Sequence, residues 1–130
     1  MTNNFSEDPI FHKLQFTKEW IEIGVVDSEN FVRYKKRYLE GENTCTEHYR
    51  YGAFRDFIRK NKKISPETLS AIYNLGKNDP DRAMGKSMRI DIIQRIDCPK
   101  ELIDMAIKDE DTSEIVLKLQ QKGRVKSSDR

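Results

Sequence analysis

A short pattern occurs twice in the second half of this 130-residue chain, and it limits the possible folds more than any other feature. In each copy a proline opens an apolar helical segment, an acidic turn follows, and a second helical segment comes after the turn. The copies begin at Ser65 and at Cys98. A period of about 33 residues is typical of stacked helical hairpins, in which each unit buries its apolar face on its neighbour.

The rest of the chain also favours helices. No stretch alternates apolar and polar residues in the way that a half-buried strand requires, whereas helix-start chemistry recurs, including a Thr44-x-x-Glu47 capping box. The predicted helix starts are Thr17, Asp27 or Ser28, Thr44, Ser65, Asp79, Cys98 and Asp111. The sequence therefore predicts an all-α fold of six to seven short helices in stacked helical hairpins, forming an α-α superhelix.

Composition along the chain suggests its boundaries. Residues 1–13 are expected to be a flexible leader, because Ser6 and Pro9 act against regular structure there. We expect a single all-helical domain over 14–122, with the repeat-like part at 64–122. The small and charged residues 123–130 are expected to form a flexible tail.

The composition bears on the cellular environment as well. The start of the chain carries no signal-peptide pattern, and no run approaches the roughly 18 apolar residues of a membrane span. Cys45 and Cys98 have neither Cys-x-x-Cys spacing nor a nearby histidine, so we expect free thiols rather than a metal site. The sequence thus predicts a cytoplasmic protein without membrane, metal or cofactor.

Charge is distributed unevenly, although the formal net charge is only +2. Residues 33–63 contain ten Lys/Arg and four Asp/Glu, whereas residues 97–122 contain four Lys/Arg and seven Asp/Glu. A basic middle and an acidic end could be complementary between copies of the chain. Head-to-tail self-association is therefore one expectation of the sequence.

Two basic stripes form the candidate binding surface for an acidic partner. At 100° per residue, one face of the third predicted helix falls within a sector of about 80° and consists of His48, Gly52, Arg55, Arg59 and Lys62. The fifth helix carries a second stripe. The candidate residues are His48, Arg55, Arg59, Lys62, Arg82, Lys86 and Arg89. The Tyr34–Tyr38 segment also interleaves aromatic and basic residues, which favours either nucleic-acid contact or an aromatic packing pair.

No residue grouping in the sequence indicates catalysis. Glu47 and His48 are adjacent, so on a helix their side chains diverge by about 100° and cannot easily serve one substrate. The acidic turns lack the further oxygen ligands and the glycine of a calcium loop, and they are interpreted as helix caps. We therefore expect no enzyme.

A family resemblance is carried by the second copy of the pattern. Its residues, in order, are Pro99, Leu102, the Met105-Ala106 pair and Asp109-x-Asp111. In this order the chain resembles HEAT-like helical repeat proteins, particularly the leucine-rich-repeat variant subgroup, over about 55 residues of its C-terminal half. The resemblance implies a superhelical scaffold that binds partners through a continuous face and has no conserved catalytic residues.

The leading functional expectation is a non-enzymatic helical-repeat interaction module that binds another protein. The alternative is a nucleic-acid-binding domain that uses the basic faces of the third and fifth helices. An enzyme with an unrecognised site is a further alternative, for which the sequence offers no residues.

Overall fold

The computed structural model describes residues 5–41 and 45–125, and within these ranges the chain is all-helical and has no strand. A short 3-10 turn, Phe5–Glu7, precedes the first α-helix. The α-helices are α1 (Pro9–Lys13), α2 (Lys18–Ile23), α3 (Ser28–Leu39), α4 (Thr46–Lys60), α5 (Pro66–Lys77), α6 (Arg82–Ile93), α7 (Lys100–Lys108) and α8 (Ser113–Gln121). The predicted all-α class is confirmed. The described residues form eight α-helices rather than six to seven, because α1 lies in the segment expected to be a leader.

The chain divides into two compact units, Met1–Lys62 and Lys63–Arg130. The second unit begins one residue before the expected start of the repeat-like part, whereas the sequence suggested a single domain over 14–122. Each unit has its own buried apolar residues.

The expected leader is structured from residue 5 onward, which corrects the prediction of a flexible segment over 1–13. Pro9 occupies the first position of α1, and the Asp8 carboxylate accepts a hydrogen bond from the Ile10 amide at 2.8 Å. Phe11 is fully buried, and its ring centroid lies 5.7 Å from that of Phe31. Proline therefore starts a helix here rather than disrupting one, because Asp8 caps it.

The next two helices begin where the sequence predicts. Thr17 precedes α2, and Gly24 ends it in the left-handed conformation, with φ of 96°. Asp27 and Asn30 form a reciprocal capping box at the start of α3. Helix α4 begins at Thr46, and Cys45 occupies its N-cap position. The predicted cap, Thr44, lies outside the described residues.

A buried arginine joins α4 to the N-terminal segment. Arg50 is 1% exposed, and its guanidinium donates hydrogen bonds to the Leu14 carbonyl at 3.0 Å and to Gln15 Oε1 at 3.1 Å. Gln15 has a positive φ of 64°, a backbone conformation that residues other than glycine seldom adopt. The hydrogen bonds to Arg50 and Thr46 hold Gln15 in that conformation.

In the second unit, consecutive helices pack on one another. Helix α5 packs on α6, α6 on α7, and α7 on α8. The turns between the helices of each pair share one device, because Asp79 accepts from the Asp81 amide and Asp109 from the Asp111 amide, both at 2.9 Å. This packing is compatible with stacked hairpins, whose repeat nature stays a prediction.

Some details of the second unit differ from the expectation. Asp81, rather than Asp79, caps α6 by accepting from the Met84 amide, and Thr112, rather than Asp111, precedes α8. Of the Met105-Ala106 pair, Ala106 is buried but Met105 is 41% exposed, and Ile103 is buried instead. The α7 apolar stripe is therefore rotated toward Ile103, next to the buried Leu102.

Helices α5 and α6 meet at two glycines. A Cβ atom on Gly85 would collide with the carbonyl oxygen of Gly76, and a Cβ atom on Gly76 would lie 2.9 Å from the Gly85 carbonyl oxygen. Because neither glycine has a side chain, the two backbones can come into direct contact. This contact explains why α6 tolerates a residue that is unfavourable inside a helix.

The side chain of Arg89 connects this crossing to the turn between α7 and α8. Arg89 is 2% exposed, which contradicts its predicted place on an exposed basic surface. Its Nε donates to the Gly85 carbonyl at 3.2 Å, and its two terminal nitrogens form ion pairs with Asp109 and Asp111. Burial is tolerated because carboxylates compensate the buried charge. The acidic turn is thus more than a helix cap.

We expect Gly85→Ala to lower the free energy of unfolding by roughly 1–3 kcal/mol, because the added methyl group must force α5 and α6 apart. The control is Gly52→Ala in α4, where a Cβ atom meets nothing within 4 Å. That variant should gain up to about 1 kcal/mol from helix propensity. Urea unfolding followed by circular dichroism measures both, and equal stability of the two variants would contradict the close crossing.

The ion pairs of the acidic turn also predict a pH dependence. Hydrogen bonds from Arg82 and then Arg89 hold the pKa of Asp111 below its ordinary value. A lowered folded-state pKa contributes stability that is complete above the unfolded pKa of about 4 and is lost as pH falls through the folded value. Asp111→Asn should therefore be less stable than wild type at pH 7, and this difference should shrink below about pH 4.

The matched control for this experiment is Glu110→Gln, which alters an exposed carboxylate of the same turn. Its stability should follow that of wild type across the pH range. If the unfolding free energies of Asp111→Asn and wild type run parallel from about pH 7 to about pH 3, the ion pairs do not stabilise the second unit.

Candidate functional site

The first unit contains a cleft of about 400 Å³ formed by α3 and α4. Its lining combines three arginines and a histidine with three tyrosines, a glycine and an aspartate. The lining residues are Tyr34, Arg37, His48, Tyr49, Tyr51, Gly52, Arg55, Asp56 and Arg59. A cleft of this size matches sites that enclose a small molecule or a few side chains. We refer to it as the arginine cleft.

Helix geometry explains the contribution of α4. His48, Gly52, Arg55 and Arg59 follow each other at intervals of four, three and four residues, so they share one side of the helix. The structure brings His48, Arg55 and Arg59 to the same cleft. Lys62 was grouped with them, but it follows the end of α4, is exposed and does not line the cleft.

Helix α3 supplies residues that were not included in the candidate surface. Arg37 lies over the ring of Tyr49, with its guanidinium carbon 5.9 Å from the ring centroid. Arg55 lies over Tyr51 at 5.6 Å in the same way. Cation–π contacts of this kind hold a guanidinium in place without neutralising its charge. The cleft therefore presents oriented, charged arginines.

The charges of the cleft are poorly balanced. Among the residues that the structure describes, neither Arg55 nor Arg59 forms an ion pair with a carboxylate. The two arginines are four residues apart on one helix, an arrangement that costs an isolated helix about 0.2–0.5 kcal/mol when the charges are alike. Of the described lining residues, Asp56 alone carries a carboxylate. An anion would relieve this repulsion.

Tyr34, one of the lining residues, carries a buried hydroxyl group. The side chain is 5% exposed, and its hydroxyl has no hydrogen-bond partner within the described part of the chain. Leaving a buried hydroxyl unpaired costs about 1–3 kcal/mol. Burial, and then the nearby charge of Asp56, raises the pKa of Tyr34 to about 12. At neutral pH the phenol therefore stays protonated and can donate a hydrogen bond.

The basic residues of the second unit behave differently. Arg82 is exposed but forms an ion pair with Asp111, to which its Nε donates at 3.0 Å. Lys86 is half-buried. Arg89 is buried and paired with two aspartates, as described above. The acidic turn thus neutralises much of the predicted stripe, and Arg89 does not belong to a binding surface.

The candidate surface therefore loses Lys62 and Arg89 and gains residues that the sequence did not group with it. The sequence identified His48, Arg55 and Arg59 from helical spacing. Tyr49 and Tyr51 of the same helix also line the cleft, whereas Arg37 joins them from α3, where its guanidinium lies over the Tyr49 ring. The Tyr34–Tyr38 segment was the available signal. Both tyrosines of this segment pack on Tyr49, each with its ring centroid 6.4 Å from that of Tyr49. Tyr34 and Arg37 also line the cleft.

The described residues offer neither a metal-binding cluster nor a membrane-spanning helix. Within residues 5–41 and 45–125, no three His, Cys, Asp or Glu side chains come together as a metal ion would require. None of the helices in these ranges has the length and apolar character needed to cross a membrane. The arginine cleft remains the strongest candidate, and its chemistry is suited to holding an anion.

Comparison with known proteins adds no family assignment. No protein-family model matches the chain, and neither the curated proteins nor the solved structures include a significant match. The resemblance to HEAT-like repeats therefore stays a prediction, and the arginine cleft is the feature that bears on function.

Proposed function

We propose that this protein is a non-enzymatic interaction module whose arginine cleft binds an acidic segment of another protein. The observation that carries the proposal is the pair Arg55 and Arg59, four residues apart and without an ion pair among the described residues. Arginines elsewhere in the chain, such as Arg82 and Arg89, are paired with aspartates. An acidic segment would supply the missing negative charge.

The geometry favours a protein segment over a nucleic acid. One ring face of Tyr49 and one of Tyr51 are covered by arginines, whereas binding of single strands relies on aromatic faces on which successive bases stack. A cleft of about 400 Å³ accommodates a few side chains rather than a strand of several nucleotides. Nucleic-acid binding is therefore the alternative outcome of the test.

The same proposal includes a HEAT-like helical scaffold and a cytoplasmic location. The hairpins of the second unit fit a HEAT-like support for partner binding. Cys45 and Cys98 are free thiols, which suits the reducing cytoplasm.

The proposal is tested with a fluorescein-labelled peptide rich in Asp and Glu, titrated with the full chain and followed by anisotropy. Binding should weaken as salt rises from about 50 to 300 mM, because exposed charges are screened beyond a Debye length. We expect Arg55→Glu to weaken binding roughly tenfold or more. The variant should still fold, since a glutamate at this position would form a favourable i,i+4 pair with Arg59, worth about 0.2–0.5 kcal/mol.

The matched control is Lys62→Glu, which makes the same change of charge outside the cleft and should retain near-wild-type affinity. Equal loss in both variants would mean that net charge, rather than the cleft, attracts the peptide. Tighter binding of a single-stranded oligonucleotide than of the acidic peptide would favour the nucleic-acid alternative. Light scattering at both salt concentrations separates peptide binding from self-association, which would appear as a dimer at low salt.

A further inference from the structure

The arginine cleft contains more positive charge than a single carboxylate can balance. Among its lining residues, Arg55 and Arg59 contribute two positive charges, and neither forms an ion pair with a carboxylate of the described residues, Asp56 included. A phosphate monoester carries about −1.5 to −2 at pH 7, whereas a carboxylate carries −1. The charge of the cleft is therefore matched by a phosphate monoester.

The type of cation points the same way. Each strongly basic residue in the described lining is an arginine, although Lys60, Lys62 and Lys63 follow closely in the sequence. A guanidinium presents a planar fork of donors that fits two oxygens of one phosphate, while an ammonium acts as a point charge. The cation–π contacts of Arg37 and Arg55 restrict these forks, which lowers the entropy lost on binding.

Tyr34 provides an independent observation. Its hydroxyl is buried and finds no partner among the described residues, and the residue lines the cleft. A buried donor in a folded protein normally has an acceptor. A phosphate has several strong acceptor oxygens, so one can take the Tyr34 hydrogen bond while others bind the arginines.

Gly52 gives a second independent observation. Glycine destabilises the interior of a helix relative to alanine, and close helix packing explains it at Gly85 but not at Gly52, where a Cβ atom would meet nothing within 4 Å. Gly52 lines the cleft. The missing side chain therefore leaves space in the cleft itself, beside the arginines, where a bound group can approach the α4 backbone.

We propose that the arginine cleft recognises a phosphorylated side chain in the partner protein, with the arginines holding the phosphate monoester and the Tyr34 hydroxyl donating to it. This inference rests on the proposed function, because it specifies the acidic group within the partner segment. Binding would then depend on phosphorylation of the partner, and the module would read a modification rather than a constant acidic sequence.

The experiment compares four labelled peptides that differ at one central position: phosphotyrosine, phosphoserine, glutamate and unmodified tyrosine. With the full chain, we expect at least one phosphorylated peptide to bind about tenfold or more tightly than the glutamate peptide, a difference that reflects charge and acceptor number. The two phosphorylated peptides show which residue supplies the phosphate. Adenosine monophosphate and a single-stranded oligonucleotide are added as competitors.

Each outcome decides between the proposals. If the phosphorylated and glutamate peptides bind equally well, the phosphate inference fails while the binding of acidic segments stands. If the peptide rich in Asp and Glu binds but none of these four peptides does, the phosphate inference also fails and the binding of acidic segments stands. If no peptide binds, both proposals fail. If the nucleotide or the oligonucleotide displaces the probe at a lower concentration than unlabelled phosphopeptide does, a nucleotide phosphate is the ligand and the phosphopeptide inference is overturned.

Two variants separate binding from folding. Tyr34→Phe removes an unpaired hydroxyl, so the melting temperature should be unchanged or higher, while affinity for the phosphopeptide should fall about threefold or more. Gly52→Leu fills the space beside the arginines and should reduce affinity about tenfold or more, while it improves helix propensity. Lys62→Glu should leave the preference for phosphate intact. Unchanged phosphopeptide affinity in both cleft variants would overturn the inference.

Discussion

The contact between the backbones of α5 and α6 is the constraint on which the second unit depends. Gly76 and Gly85 leave no room for side chains between the two helices, so the neighbouring Arg89 must run along the crossing in a dry environment. A buried guanidinium is tolerated only with full compensation, which the Gly85 carbonyl and the two aspartates of the α7–α8 turn supply. One arginine thereby ties the first hairpin of this unit to the second, across a turn whose aspartates were expected only to cap a helix.

Arginine has two contrasting roles in this chain, and the difference lies in the carboxylates within reach. In the second unit, Arg89 and Arg82 are matched by Asp111 and its neighbour Asp109, so their charge contributes to the fold. In the arginine cleft, the Arg55 guanidinium lies over a tyrosine ring instead. A ring positions the cation but leaves its charge uncompensated. Such a surface gains by attracting an external anion, which is the physical basis of the proposed binding.

Local chemistry made much of the helix pattern predictable. Thr17, Asp27 and Ser65 each precede a helix, as their residue types suggest, and the Asp8-Pro9 pair carried the same signal for α1. Helical spacing likewise grouped Arg55 with Arg59. Non-local contacts were not predictable: Arg89 meets Asp109 across 20 residues, and Arg37 reaches the cleft only because α3 packs on α4. Exposed and paired arginines look alike in a sequence, since the partner depends on tertiary structure.

The hydrogen bonds of Arg50 have a consequence for the order of folding. They join α4 to Leu14, a residue 36 positions earlier in the chain, so the first unit must close a long loop before the guanidinium is satisfied. Loop closure of this kind is entropically costly and slows the search for the native state. In the second unit each helix packs on the next one along the chain, and contacts of low sequence separation form quickly. Refolding from denaturant should therefore be biphasic, with the hairpins of residues 63–125 gaining helical structure before the aromatic core of the first unit excludes water.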